Sequence, residues 1–379
     1  MRKVGIVDVA LSPGVDSSLS LMEFTYKPVK EVLDKVGIKR NEVDTYVMAS
    51  SDVFHSGLSC ANSFDIDATG AFLKPMAREE GDAIKAFIYA SLRIMSGIYD
   101  TAMVVTLVKG SENPDNDTLT SCFADPFYTR PLGIQETTAA AMQKRLYQKR
   151  YGITDEQCAK VVVKNLGNAL RNPNTHVKKR VTVEDVLNSK KICDPLRAME
   201  CAPKSDGVCA MLLASEEKAR ELTDKPVWLR GFGSSMDTFY LGDRDLLNTQ
   251  LKNAAAMAYK MAGINNPAKE IDMAEISEPY AFQELLRCEE LGLCSQGQGG
   301  SFIDSGATQM TGSLPVNPSG GVLAMNPYVP RGLYRVAESA LQIKGQAGEH
   351  QIDKKVNTAL AHGSYGFCGQ WHGVVILGN

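Results

Sequence analysis

The chain has 379 residues, with 41 lysines and arginines against 44 aspartates and glutamates, and its formal net charge is −3. A balance so close to neutral gives no field that would collect a polynucleotide or an anionic membrane surface, and no apolar run reaches the ~20 residues that a membrane span needs. A chain of this length buries a large core and is expected to form two or three domains or two fused halves.

The first half alternates strand and helix. Its opening residues, MRKVGIVDVALSPG, run straight into a strand pattern over Lys3–Val9 where a signal peptide would show a different layout, so a cytoplasmic protein is expected. Met22–Val36 has helical periodicity and stops at Gly37, and Val43–Met48 is apolar and β-branched, which completes a βαβ opening. Residues 50–74 read as a long polar connection, of the kind tolerated mainly at a functional surface. Asp82–Ser96 is a nearly continuous apolar helix closed by Gly97, and TAMVVTLV after it is hydrophobic enough for the middle of a sheet.

Gly110–Thr129 carries turn formers and no periodicity, and so reads as a loop laid over something. Helical patterns follow at Thr137–Gly152, Thr154–Arg171 and Val181–Ser189, which makes the middle a helical insertion. Strands return at GVCAMLLA and Trp228–Phe232. Helix Asn253–Ala262, strand Ile271–Ile276 and helix Tyr280–Leu291 then lead to a glycine-rich loop over Gln296–Gly312.

In TGSLPVNPSGGVLAMNPYVPRG, Gly320 and Gly321 permit a tight turn or a close approach to a ligand, and Pro327 and Pro330 forbid a regular helix until about Leu333. A helix ending at Gly345, the strand Val356–Ala361, the turn HGSYGFCGQWHG and the strand VVILG close the chain. Each half thus offers a buried helix, a glycine stop and an apolar strand in one order, which predicts an α/β fold of duplicated α/β/α/β/α layered halves. The boundaries are 1–110 with 190–215 for the first half, 111–189 for the insertion over the active site, and 216–379 for the second half.

The nine cysteines, Cys60, Cys122, Cys158, Cys193, Cys201, Cys209, Cys288, Cys294 and Cys368, include no CxxC pair. They fit neither a disulfide framework nor a zinc ribbon. His55, His176, His350, His362 and His372 have no metal-ligand spacing, so no metal is expected in this chain.

Several segments together resemble the thiolase superfamily over essentially the whole chain, nearest to its sterol-carrier-protein-x type and to zinc-ribbon-partnered thiolase-like subunits. IMSGIYDTAMVV is similar to the family's buried helix and strand, and CAPKSDGVCAMLL to its serine-aspartate-glycine strand. EISEPYAFQELLRCEELGL resembles its Asn-Glu-Ala-Phe region, and NPSGGVLAMNP its Asn-x-x-Gly-Gly with Gly-His-Pro. The resemblance implies a thiolase fold, a CoA thioester as substrate, a homodimer through the strand Thr101–Leu107, and a small partner with a zinc ribbon and an OB fold. It places CoA under Gly110–Thr129 and Ala202–Asp206, with Pro279 and Tyr280 beside the pantetheine arm and Gly320 and Gly369 in glycine turns.

The same resemblance locates departures. The nucleophilic cysteine falls at Glu80, the catalytic histidine at Asn326, and the water-holding asparagine at Ser277. Cys368 stands within one residue of the family's second cysteine, with His372 four residues on, either as an activated group or as a buried thiol in a tight turn. Cys201 faces the site or packs beside it. Amides of the Gly369 turn, with Asn326 and Ser277, are candidates for an oxyanion hole. Glu80, Asp82, Glu278, Tyr280, Tyr328 and His372 are candidate proton carriers, and Glu79, Glu80 and Asp82 equally fit a helix N-terminal cluster. Three activities follow as expectations. One is thiolysis of a 3-oxoacyl-CoA, including aromatic or dicarboxylic acyl groups such as benzoylsuccinyl-CoA. The second is retro-aldol cleavage of a 3-hydroxyacyl-CoA with tyrosines moving protons, as in steroid side-chain aldolases, and the third is an inactive acyl-CoA-binding or scaffolding subunit.

Overall fold

The structure, a computed structural model, describes residues 2–12, 14–54 and 65–379. His55, Cys60 and part of the long connection at 50–74 lie outside the described residues.

Nine strands form one sheet: β1 Val4–Leu11, β2 Thr45–Ser50, β3 Met76–Glu80, β4 Thr101–Lys109, β5 Asp206–Ser215, β6 Val227–Met236, β7 Met273–Glu275, β8 Thr358–Tyr365 and β9 Trp371–Gly378, in the order β3-β2-β4-β5-β1-β6-β9-β8-β7. Among the helices are α1 Leu21–Val36, α2 Ile84–Met95, α3 Glu136–Tyr151, α4 Asp155–Ala169, α5 Val183–Asn188, α6 Leu251–Ala262, α7 Ala281–Glu290 and α8 Arg331–Lys344. Local chemistry sets their ends. Ser20 and Glu23 cap α1 reciprocally and Gly37, at φ 76°, stops it; Thr154 and Gln157 cap α4 in the same way.

Pairing directions show the duplication. From the antiparallel joint between β1 and β6, β1 pairs β5 and β5 pairs β4 antiparallel, after which β4–β2 and β2–β3 are parallel. Across the joint β6 pairs β9 and β9 pairs β8 antiparallel, β8–β7 is parallel, and an isolated parallel bridge from Ala274 to Val316 stands where the fifth strand would be. One apolar cluster joins α2 and α8 to strands of both halves, through residues such as Val47, Val104, Met211, Val375 and Leu377. Separate clusters seat α1 outside the first half, and α6 and α7 outside the second. The layers are therefore helix, first half of the sheet, paired buried helices, second half of the sheet, helix. The insertion helices α3 and α4 make a core with Tyr280, Phe282, Leu285, Leu323 and Ala324, so the insertion sits on the second half.

Several sequence expectations are corrected. Strand β4, expected at a dimer interface, is interior, with β2 on one edge and β5 on the other, so its backbone has no free edge to extend the sheet into a partner. The closing turn is shorter than expected: β8 runs through Tyr365 and β9 begins at Trp371, which puts His372 on a strand. Helix α8 begins at Arg331 because Pro330 takes the N-cap position, where its missing N–H costs nothing. Short helices Asn116–Ser121 and Gly299–Asp304 lie inside the stretches read as loops, and β3 was not foreseen.

Candidate active site

A cavity of about 260 Å³ opens where the insertion meets both halves, lined among others by Asp117, Glu136, Cys201, Ala202, Pro279, Tyr280 and Asn326. Two backbone contacts build its wall. The Ala202 amide donates to the Pro279 carbonyl at 2.8 Å, beside a bridge between Cys201 and Tyr280, and the Ser205 amide donates to the Asn326 carbonyl at 3.2 Å. The Tyr280 hydroxyl lies 3.0 Å from Thr137 Oγ1 at the start of α3. Ala202, Pro279 and Tyr280, expected around a pantetheine arm, and Asn326, expected at the catalytic histidine's position, line one cavity.

Asn326 is held on both sides. Its amide donates to Ser205 Oγ at 3.2 Å, and its Oδ1 accepts from the Tyr328 amide at 3.2 Å. That second bond steadies Tyr328 at φ 56°, a left-handed conformation that an aromatic residue adopts only when its surroundings enforce it. The Tyr328 ring stacks on Phe54 at 3.8 Å, and the Arg331 guanidinium lies over the ring, 4.5 Å from its centre. The buried Tyr328 hydroxyl has no well-formed hydrogen bond within the protein. Burial, then the nearby Glu136 carboxylate, push it well above the usual phenol range, so it is a neutral proton donor at physiological pH.

Arg331 sits between two acids, with Nε 3.7 Å from Asp82 and Nη1 3.8 Å from Glu136, and its Nη2 donates to the Ser364 carbonyl at 2.8 Å. Burial raises Asp82 to about 6 and also raises Glu136, in both cases against the opposing pull of Arg331. Several buried polar atoms make no well-formed hydrogen bond within the protein: Ser277 Oγ, Tyr328 OH, Ser364 Oγ, His362 Nδ1, and Nε and Nη1 of Arg331, the last two keeping only their longer ion contacts to Asp82 and Glu136. Leaving such groups without hydrogen bonds is costly, which makes them candidates for contact with a polar ligand.

The remaining expected residues are placed differently. Glu80 ends β3 with half of its side chain exposed and pairs with Arg78 at 2.6 Å, away from the cavity lining. Cys368, at φ 55°, is buried among Ala124, Ala139 and Phe367, and burial pushes its thiol up to about 12. His372 cannot activate it, since both ring nitrogens are engaged: Nδ1 with His362 Nε2 and Nε2 with Thr249 Oγ1, each at 3.0 Å. Gly369 is required at its position because a Cβ there would run into the His372 ring. Gly320, at φ 102°, lets the backbone pass Ala169, where a Cβ would come within 2.7 Å of the alanine methyl, so it serves packing against α4. Glu278, expected as a proton carrier, is buried and raised to about 8 by burial and Glu284, with the Leu323 amide and Asn165 donating to it under the Gly320-Gly321 turn.

Sequence reasoning did not single out Glu136, Arg331 or His362. Glu136 reads as an ordinary helix N-terminal acid, and Arg331 carries no motif beyond its place after Pro330. Among the described residues no group of three or more His, Cys, Asp or Glu is placed to hold a metal ion, and no helix is long and apolar enough to cross a membrane.

Comparison with known proteins agrees with this geometry. Residues 233–379 match the family model described as thiolase C-terminal domain-like. An acetyl-CoA acetyltransferase of Methanothermobacter thermautotrophicus is 33% identical over 79% of this chain and 76% of its own length. The chain belongs to the thiolase superfamily. Within that superfamily it is also similar to the benzoylsuccinyl-CoA thiolase subunit BbsB of Thauera aromatica, 27% identical over 73% of this chain and 74% of the relative. The solved structure titled Ltp2-ChsH2(DUF35) aldolase superposes with a TM-score of 0.85 over 99% of this chain and 97% of that one, at 22% identity, a likeness in fold.

Proposed function

We propose that this thiolase-family chain breaks, or in reverse makes, the carbon–carbon bond beta to a coenzyme A thioester without forming an acyl-enzyme, as a retro-aldol lyase on a 3-hydroxyacyl-CoA. The observation that carries this reading is the state of the thiols. Among the described residues, Cys201 in the cavity lining and the buried Cys368 are each pushed up to about 12 by burial, so neither supplies the thiolate that acyl transfer through the enzyme requires. Glu136 and Tyr328 are the groups to which this reading gives the proton transfers.

In this scheme the ionised Glu136 carboxylate takes the proton of the substrate's 3-hydroxyl, and the C2–C3 bond breaks with its electrons passing into the thioester enolate. Tyr328, a neutral phenol held beside Glu136, donates to C2. Asn326 faces the cavity with Oδ1 already occupied by the Tyr328 amide, which turns its Nδ2 donor to the enolate oxygen, and the unpartnered Ser277 hydroxyl is a second donor. The aldolase title of the structural neighbour supports the reaction class, and its named second component supports a partner subunit here, for which a small zinc-ribbon and OB-fold protein is the proposal.

A second reading is favoured by the names of the sequence relatives: thiolysis, with coenzyme A attacking a 3-oxoacyl-CoA directly, including a dicarboxylic or aromatic acyl group. Purified protein, with any co-encoded partner, separates the two. Release of an aldehyde or ketone from a 3-hydroxyacyl-CoA without added coenzyme A is expected for the lyase. Turnover only of a 3-oxoacyl-CoA, and only with added coenzyme A, would replace it by thiolysis, and coenzyme A binding with neither reaction would leave a binding subunit.

A further inference from the structure

We propose that Glu290, Thr249, His372 and His362 form a hydrogen-bonded relay that exchanges a proton between a buried carboxyl and the unpartnered Nδ1 of His362. Glu290 on α7 accepts from the Thr249 amide at 2.6 Å, which sets the carboxyl against the Thr249 side chain, and that side chain opposes the upward push of burial on the carboxyl. Thr249 Oγ1 lies 3.0 Å from His372 Nε2, and His372 Nδ1 lies 3.0 Å from His362 Nε2. The two rings stack at 5.2 Å with an interplanar angle of 28°. All four residues are buried, and His362 Nδ1 ends the chain without a partner. His362 also adjoins the proposed oxyanion site, for its carbonyl accepts from the Ser277 amide at 3.2 Å.

A neutral imidazole has one donor and one acceptor nitrogen, so fixing one end of such a chain fixes every ring along it. With Glu290 ionised, the Thr249 hydroxyl donates to the carboxylate and accepts from His372 Nε2–H. His372 Nδ1 then accepts from His362 Nε2–H, and His362 Nδ1 presents a lone pair. When His362 Nδ1 takes a proton, its Nε2 proton passes to His372 Nδ1, the His372 Nε2 proton passes to Thr249, and the Thr249 proton passes to Glu290. One N–H bond forms at Nδ1, one O–H bond forms on Glu290, and neither ring becomes an imidazolium.

The surrounding charges favour this neutral transfer. Burial first, then Arg287 on α7, hold both histidines well below their ordinary value, with Arg331 on α8 adding to the effect at His362. Burial raises Glu290 to about 7, with Thr249, Arg287 and Lys252 on α6 opposing, so this carboxyl can hold or give up a proton near neutrality. Glu278 on the segment before α7 and the Cys368 thiol are the other titratable groups whose fields reach Arg287.

The relay itself does not depend on the lyase reading; only its expected effect on cleavage rests on it. Nitrogen-15 spectra of the full chain with labelled histidine, recorded across the pH range around 7, read the ring tautomers directly. Expected are Nε2–H forms on both rings at high pH that change together to Nδ1–H forms as the pH falls. In Glu290→Gln the Nε2–H forms should persist at every pH, Thr249→Val should uncouple the rings, and Thr249→Ser should restore the coupling. Rings that titrate to imidazolium, or that keep the wild-type behaviour in Glu290→Gln, would overturn the relay. In the cleavage assay, Glu290→Gln should lose the inflection near 7 from kcat with KM unchanged, and an unaltered pH profile would remove the relay from the reaction. Coupled tautomers in a protein without cleavage activity would keep the relay and reject the lyase.

Discussion

Gly332, in the first turn of α8, lies directly against the carboxylate of Asp82, the residue two before α2: a Cβ on Gly332 would run into Asp82 Oδ1. The two buried helices related by the duplication are thus locked together at their N-terminal ends through one acid, which also accepts from the Ile84 amide and faces Arg331. Gly332→Ala is therefore expected to destabilise the protein by about 1–3 kcal/mol through overpacking. Chemical denaturation should show a lower midpoint, and an unchanged midpoint would mean that Asp82 moves aside without cost.

Tyr328→Phe removes the proposed proton donor while keeping the ring that stacks on Phe54. Loss of a positioned acid typically costs about 10²- to 10⁴-fold in rate, so kcat should fall by that order while KM changes little. A Phe variant with nearly full activity would place proton transfer elsewhere.

Glu136 acts as a base only when ionised, and burial, opposed by Arg331, has raised its carboxyl above the ordinary 4.5. The rate should therefore rise with pH along an acid limb displaced upward from that of a free carboxylate. In Glu136→Gln this limb should disappear together with most of the activity, and a retained limb would assign it to another group.

Thiol chemistry offers a separate check. Cys122 is exposed, whereas Cys368 is buried with its thiol raised to about 12. Mass mapping after brief alkylation of the native protein near pH 8 should find Cys122 modified well before Cys368. Cys368→Ala should retain acyl-CoA cleavage. Rapid alkylation of Cys368, or loss of activity in the alanine variant, would restore it as a nucleophile.

His350 and Glu338 form a buried pair at 2.8 Å. Burial alone would lower His350 from 6.5, but the Glu338 carboxylate outweighs it and the net shift is upward. Burial alone would raise Glu338 from 4.5, but His350, with Asn172 and Arg335, brings it below that value. The histidine contribution is complete below 6.5 and is lost as pH rises through the raised value in the folded state, while the glutamate contribution is complete above 4.5 and is lost as pH falls through its lowered value. His350→Gln should cost most between those ordinary values, up to about 3–5 kcal/mol because it removes the charged partner of a buried carboxylate that then keeps Asn172 as its donor. Tm compared across pH should show the gap between variant and wild type narrowing on the alkaline side, and a gap constant with pH would exclude the charged pair.

Much of the scaffold was legible in the sequence because its signals are local. Apolar runs such as TAMVVTLV, the glycine stops at Gly37, Gly97 and Gly345, and the repeated order of helix and strand predicted the layers, and the resemblance to thiolases singled out Ala202, Pro279, Tyr280 and Asn326, which line one cavity. The groups proposed for the chemistry were not legible in that way. Glu136, Arg331 and Tyr328 converge from an inserted helix and from the start of α8, and His362 meets Thr249 only through His372 on the neighbouring strand. Burial then decides what each group can do, raising the Cys368 thiol out of reach of ionisation while leaving Glu80 in an exposed pair with Arg78. Periodicity and turn chemistry act over a few residues and so determine the elements, whereas desolvation and charge pairing act between residues distant in the chain and exist only once the halves have closed around α2 and α8.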